Sequence, residues 1–196
     1  MSPTGIRSLL RMASEGNENK FKGIYAEIAQ AYSDYKPIIN PKDKDPLFFH
    51  PFAAGDFASI KATDSSNFVF ADNIDGLTKL NDMLEANGIT NKTIKKPSST
   101  CHVIEFELDG KKRRITYYSR KPHNFTPPEI KDGFDVLKFT NVHKASEKKD
   151  LDRFFGLLNS GGFLMAHPNV AKELAKNVRL VKEDKTLSNI NVYQKV

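Results

Sequence analysis

From residue 47 onward, short apolar runs alternate with stretches whose apolar positions recur at helical spacing. Residues 47–52 (LFFHPF) read as a strand, 53–56 (AAGD) as a tight turn, and 57–62 (FASIKA) as at most a short helix. Residues 67–70 (NFVF) form a second buried strand. Ile74, Leu77, Leu80, Met83 and Leu84 then predict a helix that stops at Asn87-Gly88. Two strand-helix units in succession imply a right-handed parallel arrangement. The texture changes at 103–108 and 113–118, two strand-like runs around Asp109-Gly110. That dipeptide supplies the positive φ values a tight reversal demands, so a hairpin is predicted, inserted at the sheet edge with its tip outside the core. Proline and polar residues make 121–132 a loop, and 134–140 (FDVLKFT) returns to a buried strand. Leu151, Phe154, Phe155 and Leu158 line a helix. Asn159, Ser160, Gly161 and Gly162 should end it, because glycine takes the left-handed conformation of a C-cap without steric cost. The apolar run 163–166 suits a strand covered on both faces, followed by a further helix and two strands joined by a polar turn.

The N-terminal part reads differently. Phe21, Ile24, Tyr25, Ile28, Ala29 and Tyr32 share one helical face, which predicts a helix docked on the main body. Pro37, Pro41 and Pro46, with the charged run Lys42, Asp43, Lys44 and Asp45, predict an irregular, solvated linker. The division expected is a helical extension and linker over 1–46 and an α/β domain over 47–196, which suits a chain of 196 residues. The domain should be a Rossmann-like open sheet, mostly parallel with a C-terminal antiparallel hairpin.

Composition narrows the setting. No run approaches the roughly 18 consecutive apolar residues of a membrane span, so no membrane role is expected. The first residues are basic and mildly amphipathic, in the manner of a targeting peptide, but Arg7 and Arg11 interrupt any secretory apolar region. Cys101 is the only cysteine, which rules out an intramolecular disulfide and suits a reducing, cytoplasmic compartment. A formal net charge of +6 favours anionic partners.

The order of elements over 154–196, a helix ending in a leucine-x-x-Gly-Gly phrase (Leu158 to Gly162), a strand and a closing hairpin, resembles the C-terminal third of class I S-adenosylmethionine-dependent methyltransferases. The resemblance implies S-adenosylmethionine as cofactor and a site beyond the carboxyl ends of the strands. By position, Ala53, Ala54 and Gly55 would line the methionine and ribose part of that cofactor, and Asp72 would accept hydrogen bonds from the ribose hydroxyls. The loop departs from the family pattern: G-x-G is absent, Pro51 and Phe52 are bulky, and His50 stands where an acidic residue is usual. Asn141 and His143, at the end of the next core strand, would orient a substrate. Two functions therefore stay open, a methyltransferase of unknown substrate and a catalytically inactive binding or interaction module on the same fold. For Asp72 the other reading is a cap for the helix that begins near Ile74.

Other chemistry is sparser. His50, His143 and His167 all fall near strand ends and would approach Asp72, but without the short spacings of a metal site, so no metal is expected. Lys111, Lys112, Arg113 and Arg114, with Tyr117 and Tyr118, suit a nucleic-acid backbone; alternatively the cations protect an exposed edge. Cys101 and His102 are adjacent on a strand and point to opposite faces, so they cannot act as nucleophile and base.

Overall fold

The computed structural model describes residues 30, 32–39, 44–53, 57–72, 84–85, 89–140, 145–174, 176–184 and 189–196. Its strands are β1 (Leu47–Pro51), β2 (Asn67–Asp72), β3 (Lys92–Ser98), β4 (Cys101–Leu108), β5 (Lys111–Ser119), β6 (Phe134–Lys138), β7 (Leu158–Ala166), β8 (Val178–Lys182) and β9 (Asn191–Lys195). The described helices are α1 (Lys36–Ile39), α2 (Ala145–Leu157) and α3 (Pro168–Glu173), with 3-10 turns at Phe57–Ala62 and Pro128–Ile130. The strands form a single sheet in the order β3-β4-β5-β2-β1-β6-β7-β9-β8.

The centre of this sheet, β5-β2-β1-β6-β7, is parallel. The flanks, β3-β4-β5 on one side and β7-β9-β8 on the other, are antiparallel. The expectation of a mostly parallel sheet is thus corrected to an evenly mixed one. A parallel pair needs a crossover to return the chain, whereas β3, β4 and β5 are joined by tight reversals that enforce antiparallel pairing. The C-terminal antiparallel hairpin is present, with β9 lying between β7 and β8.

Alternation along the central strands splits the interior in two. Phe48, Phe68, Phe70, Ile115 and Val136 face one core, which Tyr32, Tyr35 and Ile39 share. Phe49, Val69, Leu137 and Leu164 face the other, under Phe154 of α2 and Val170 of α3. Phe49 meets Phe154 and Phe134 edge-on, with ring centroids 4.9 and 5.5 Å apart, a favoured aromatic geometry. Among the described residues no helix is long and apolar enough to cross a membrane.

Three further expectations change. Asp109 and Gly110 do take φ of 54° and 72°, and β4 pairs with β5 as predicted. The hairpin, however, is not an edge insertion: β5 also pairs parallel with β2, and Ile115 and Tyr117 are buried. The edge is β3, whose exposed lysines and Pro97 keep another strand from pairing with it. Second, α2 ends at Leu157, and the glycines lie within β7. Phe134 of β6 faces Leu158 and Val136 faces Phe163, so 159–162 bulge outward. Asn159 Nδ2 donates 2.9 Å to Asp135 Oδ1 to hold the bulge. Third, a helix, α1, replaces irregular chain at Lys36–Ile39, and Ile39 is buried. The predicted linker is tied to the sheet through Asp45 Oδ1, which accepts from Ser66 N at 2.7 Å, and through the ion pair of Lys44 with Asp135. Most of the predicted helix over 74–84 and the N-terminal face from Phe21 to Ala29 lie outside the described residues, while Leu84 and Tyr32, the last apolar positions of each, are buried.

Candidate functional site

Strand order reverses between β1 and β6, since the chain leaves β1 toward β2 on one side and leaves β6 toward β7 on the other. In an open α/β sheet a crevice at the carboxyl ends of the strands flanking such a reversal is where ligands bind. The five parallel strands all end on that edge. β1 runs out at His50 and Pro51, and Ala53 N then donates 3.3 Å to Ala71 O, which brings the first turn against the end of β2. Ala53 is buried, and Asp72, the last residue of β2, is only 5% exposed and in register with Ser119 of β5. Two of the predicted cofactor residues, Ala53 and Asp72, are therefore neighbours at this edge. Ala54, Gly55, Asn141 and His143 lie outside the described residues.

The bulky Phe52 adopts a left-handed φ of 56°, a conformation that costs a non-glycine residue energy and is held by its packing. Its ring sits 5.7 Å from Phe139 at the end of β6 and 5.2 Å from His123. His123 Nδ1 in turn pairs with the buried carboxylate of Asp150 in α2, and Arg153 Nη2 donates 2.8 Å to the same carboxylate. The ring of Phe52 is thus backed by Phe139 and by the His123–Asp150–Arg153 network.

The opposite face of the same edge is polar. His50 of β1 and Lys138 of β6 both turn into the first core, and both are fully enclosed. Lys138 Nζ donates to Tyr32 Oη and lies 4.2 Å from the centre of the Tyr32 ring. His50 has neither ring nitrogen hydrogen-bonded. Burial, followed by the positive charge of Lys138, holds its pKa well below the usual imidazole value. Neither Lys138 nor Tyr32 stood out as a site residue in the sequence. The signal was a lysine inside the apolar run 134–140, at a position whose alternation points inward.

The remaining candidates disperse. His167 Nδ1 lies 2.9 Å from Asn189 O, and among the described residues no group of three or more His, Cys, Asp or Glu is placed to hold a metal. Of the four cations at the hairpin tip, Arg113 is buried, with Nη1 donating 3.1 Å to Thr63 O. Lys111 pairs with Asp45 at 3.2 Å. Lys112 and Arg114 are exposed and stand opposite Glu107 and Glu105 in the β4-β5 register. Cys101 and His102 point to opposite faces as expected: Cys101 faces Tyr118, and His102 is buried beside Tyr117. A groove of about 420 Å³, lined by Asp45, Leu47, Asn67, Val69, Arg114 and Glu129, lies at the amino ends of β1, β2 and β5, away from the reversal.

No protein-family model and no curated protein matches this chain. Solved structures do. Ribosomal protein L11 methylase from Lactobacillus delbrueckii subsp. bulgaricus matches at a TM-score of 0.50 and 12% identity, over 87% of this chain and 77% of its own. The pyocyanin biosynthetic protein PhzM matches at 0.54 and 11%, over 99% of this chain and 59% of its own. A chain from the complex of the Haloferax volcanii Trm112 methyltransferase activator with a methyltransferase matches at 0.52 and 8%, over 95% and 96%. The fold is that of the class I S-adenosylmethionine-dependent methyltransferases.

Proposed function

We propose that this chain binds a nucleoside cofactor of the S-adenosylmethionine type at the carboxyl ends of β1 and β2, as a methyltransferase-like protein. The observation that carries the reading is the placement of Asp72 beside Ala53 at the strand-order reversal. A buried strand-end carboxylate suits a ribose diol, because two hydroxyls can donate to it together, and a small residue next to it lets the sugar approach the backbone. The residues present fit the nucleoside half of such a group, and the enclosed His50 and Lys138 suit the carboxylate of its amino-acid half. When bound, this cofactor supplies an electrophilic methyl group. Asn141 and His143 are the proposed substrate-orienting residues.

A second reading, a catalytically inactive binding module, is supported by Phe52, a bulky residue where the family has an open glycine loop, its ring packed against His123 and Phe139. Isothermal titration with S-adenosylmethionine and S-adenosylhomocysteine separates the two. Heat of binding with either compound supports the first reading. Its absence at millimolar concentration, with the protein folded, leaves the second.

A further inference from the structure

Parallel strands are joined by a crossover that is usually a helix laid on the sheet, and the connection from β5 to β6 has no α-helix. Residues 120–133 contain only the 3-10 turn Pro128–Ile130. The sheet carries instead a groove of about 420 Å³ at the amino ends of β1, β2 and β5, within the range of about 300–1,000 Å³ typical of small-molecule sites. Strand register puts Leu47, Asn67 and Arg114 in one row across it, and Val69 and Thr116 in the next. Leu47 and Val69 supply an apolar surface. None of the hydrogen bonds or ion pairs among the described residues engages the side-chain amide of Asn67, the hydroxyl of Thr116 or the guanidinium of Arg114. The nearby acids already have their partners. Glu105, which faces Arg114 from β4, accepts from Lys95 at 2.8 Å. Asp45 accepts from Ser66 N at 2.7 Å and from Lys111 at 3.2 Å, and both oxygens of Glu129 accept from Tyr118 Oη at 3.0 Å. A guanidinium left without a carboxylate, beside an amide and a hydroxyl that can also donate, suits an oxyanion. Asp45 and Glu129 line the same groove and raise the cost of a second negative charge, so they favour a monoanionic carboxylate over a phosphate.

We propose that this groove is a second ligand site, which takes a small organic carboxylate. The carboxylate pairs with Arg114 and accepts from Asn67 and Thr116, and the apolar body of the ligand lies on Leu47 and Val69. Asn67 and Asp72 stand at opposite ends of β2, five residues or about 17 Å apart at the rise of a strand. The groove is therefore distinct from the nucleoside site proposed at Asp72, and its ligand binds whether or not a nucleoside does.

The test is a methyl NMR titration of the full chain with probes that share one apolar body: 3-phenylpropanoate, 3-phenylpropanamide and 2-phenylethyl phosphate. The carboxylate should shift the methyl signals of Leu47 and Val69 to saturation and bind about tenfold or more tighter than the amide, which lacks the charge-assisted pair with arginine. The phosphate should bind no tighter than the carboxylate. Arg114→Met, at an exposed position, should bring the carboxylate down to the affinity of the amide. Equal binding of carboxylate and amide in the wild type overturns the site, and so does a difference that survives Arg114→Met. Shifts that miss Leu47 and Val69 place the ligand elsewhere and overturn it too. A preference for the phosphate overturns the assignment of a carboxylate, and no saturable shift with any probe at millimolar concentration overturns the groove as a ligand site.

Discussion

Arg113 Nη1 donates 3.1 Å to the carbonyl oxygen of Thr63, joining the start of β5 to the end of the 3-10 turn that leads into β2. The guanidinium is buried beside Asp64 at 3.5 Å, so the third cation of an apparently exposed basic run is a structural strut. Arg113→Ala should therefore lower stability by about 1.5–3 kcal/mol, the range for a hydrogen bond involving a charged group. Lys112→Ala, one residue away and exposed, should stay within about 0.5 kcal/mol of wild type. Urea denaturation of both variants checks the contrast, and equal midpoints would show that Arg113 is not a strut.

Asp72 separates ligand binding from folding. Asp72→Ala should weaken a nucleoside ligand by about 1.5–3 kcal/mol, because the paired hydroxyls lose a charged acceptor. Calorimetry on the folded variant reads this directly. A variant that binds as wild type but melts earlier would assign Asp72 to capping the following segment, at roughly 0.5–2 kcal/mol.

His50 makes stability depend on pH in a definite direction. Its folded pKa is held well below the ordinary imidazole value of about 6.5, first by burial and then by Lys138. The unfolded chain therefore binds the proton more readily, and stability is full above about pH 6.5 and declines as pH falls from there toward the folded pKa. His102, lowered by burial and by Lys96, adds to the same slope. Replacing His50 with Phe should flatten the fall in melting temperature between pH 7 and 5 without abolishing it. An unchanged slope would place the titration elsewhere.

The bulge in β7 and the helix before it predict opposite outcomes for one substitution. A Cβ on Gly162 would stand 2.8 Å from Asn159 O and 2.9 Å from Asp135 O, both backbone atoms that cannot yield cheaply. Gly162→Ala should cost about 1–3 kcal/mol as overpacking. Gly156, inside α2, has nothing within 4 Å of such a Cβ, and Gly156→Ala should stabilise by about 0.5–1 kcal/mol through helix propensity. Thermal melts of the two variants should shift in opposite directions.

What the sequence determined by itself is what neighbours along the chain decide. Asp109-Gly110 makes the β4-β5 reversal because both residues accept positive φ readily, and the apolar run at 68–70 becomes a buried strand because nothing polar interrupts it. Leu151, Phe154 and Phe155 place α2 because their spacing puts one apolar face on a core. The carboxyl edge was legible for the same reason, since strand ends follow from strand runs, and Asp72 beside Ala53 is where the runs put them. Tertiary structure alone decided what depends on distant partners. The pairing of β5 with β2 buried Arg113 and turned a predicted edge hairpin into core, a choice that local pattern cannot encode because β2 and β4 compete for no common turn. Leu158 joined β7 rather than ending a helix because Phe134 offered it a partner strand. The contact of Tyr32 with Lys138 spans 106 positions, so the polar chemistry at the reversal came into being only when the sheet closed over it.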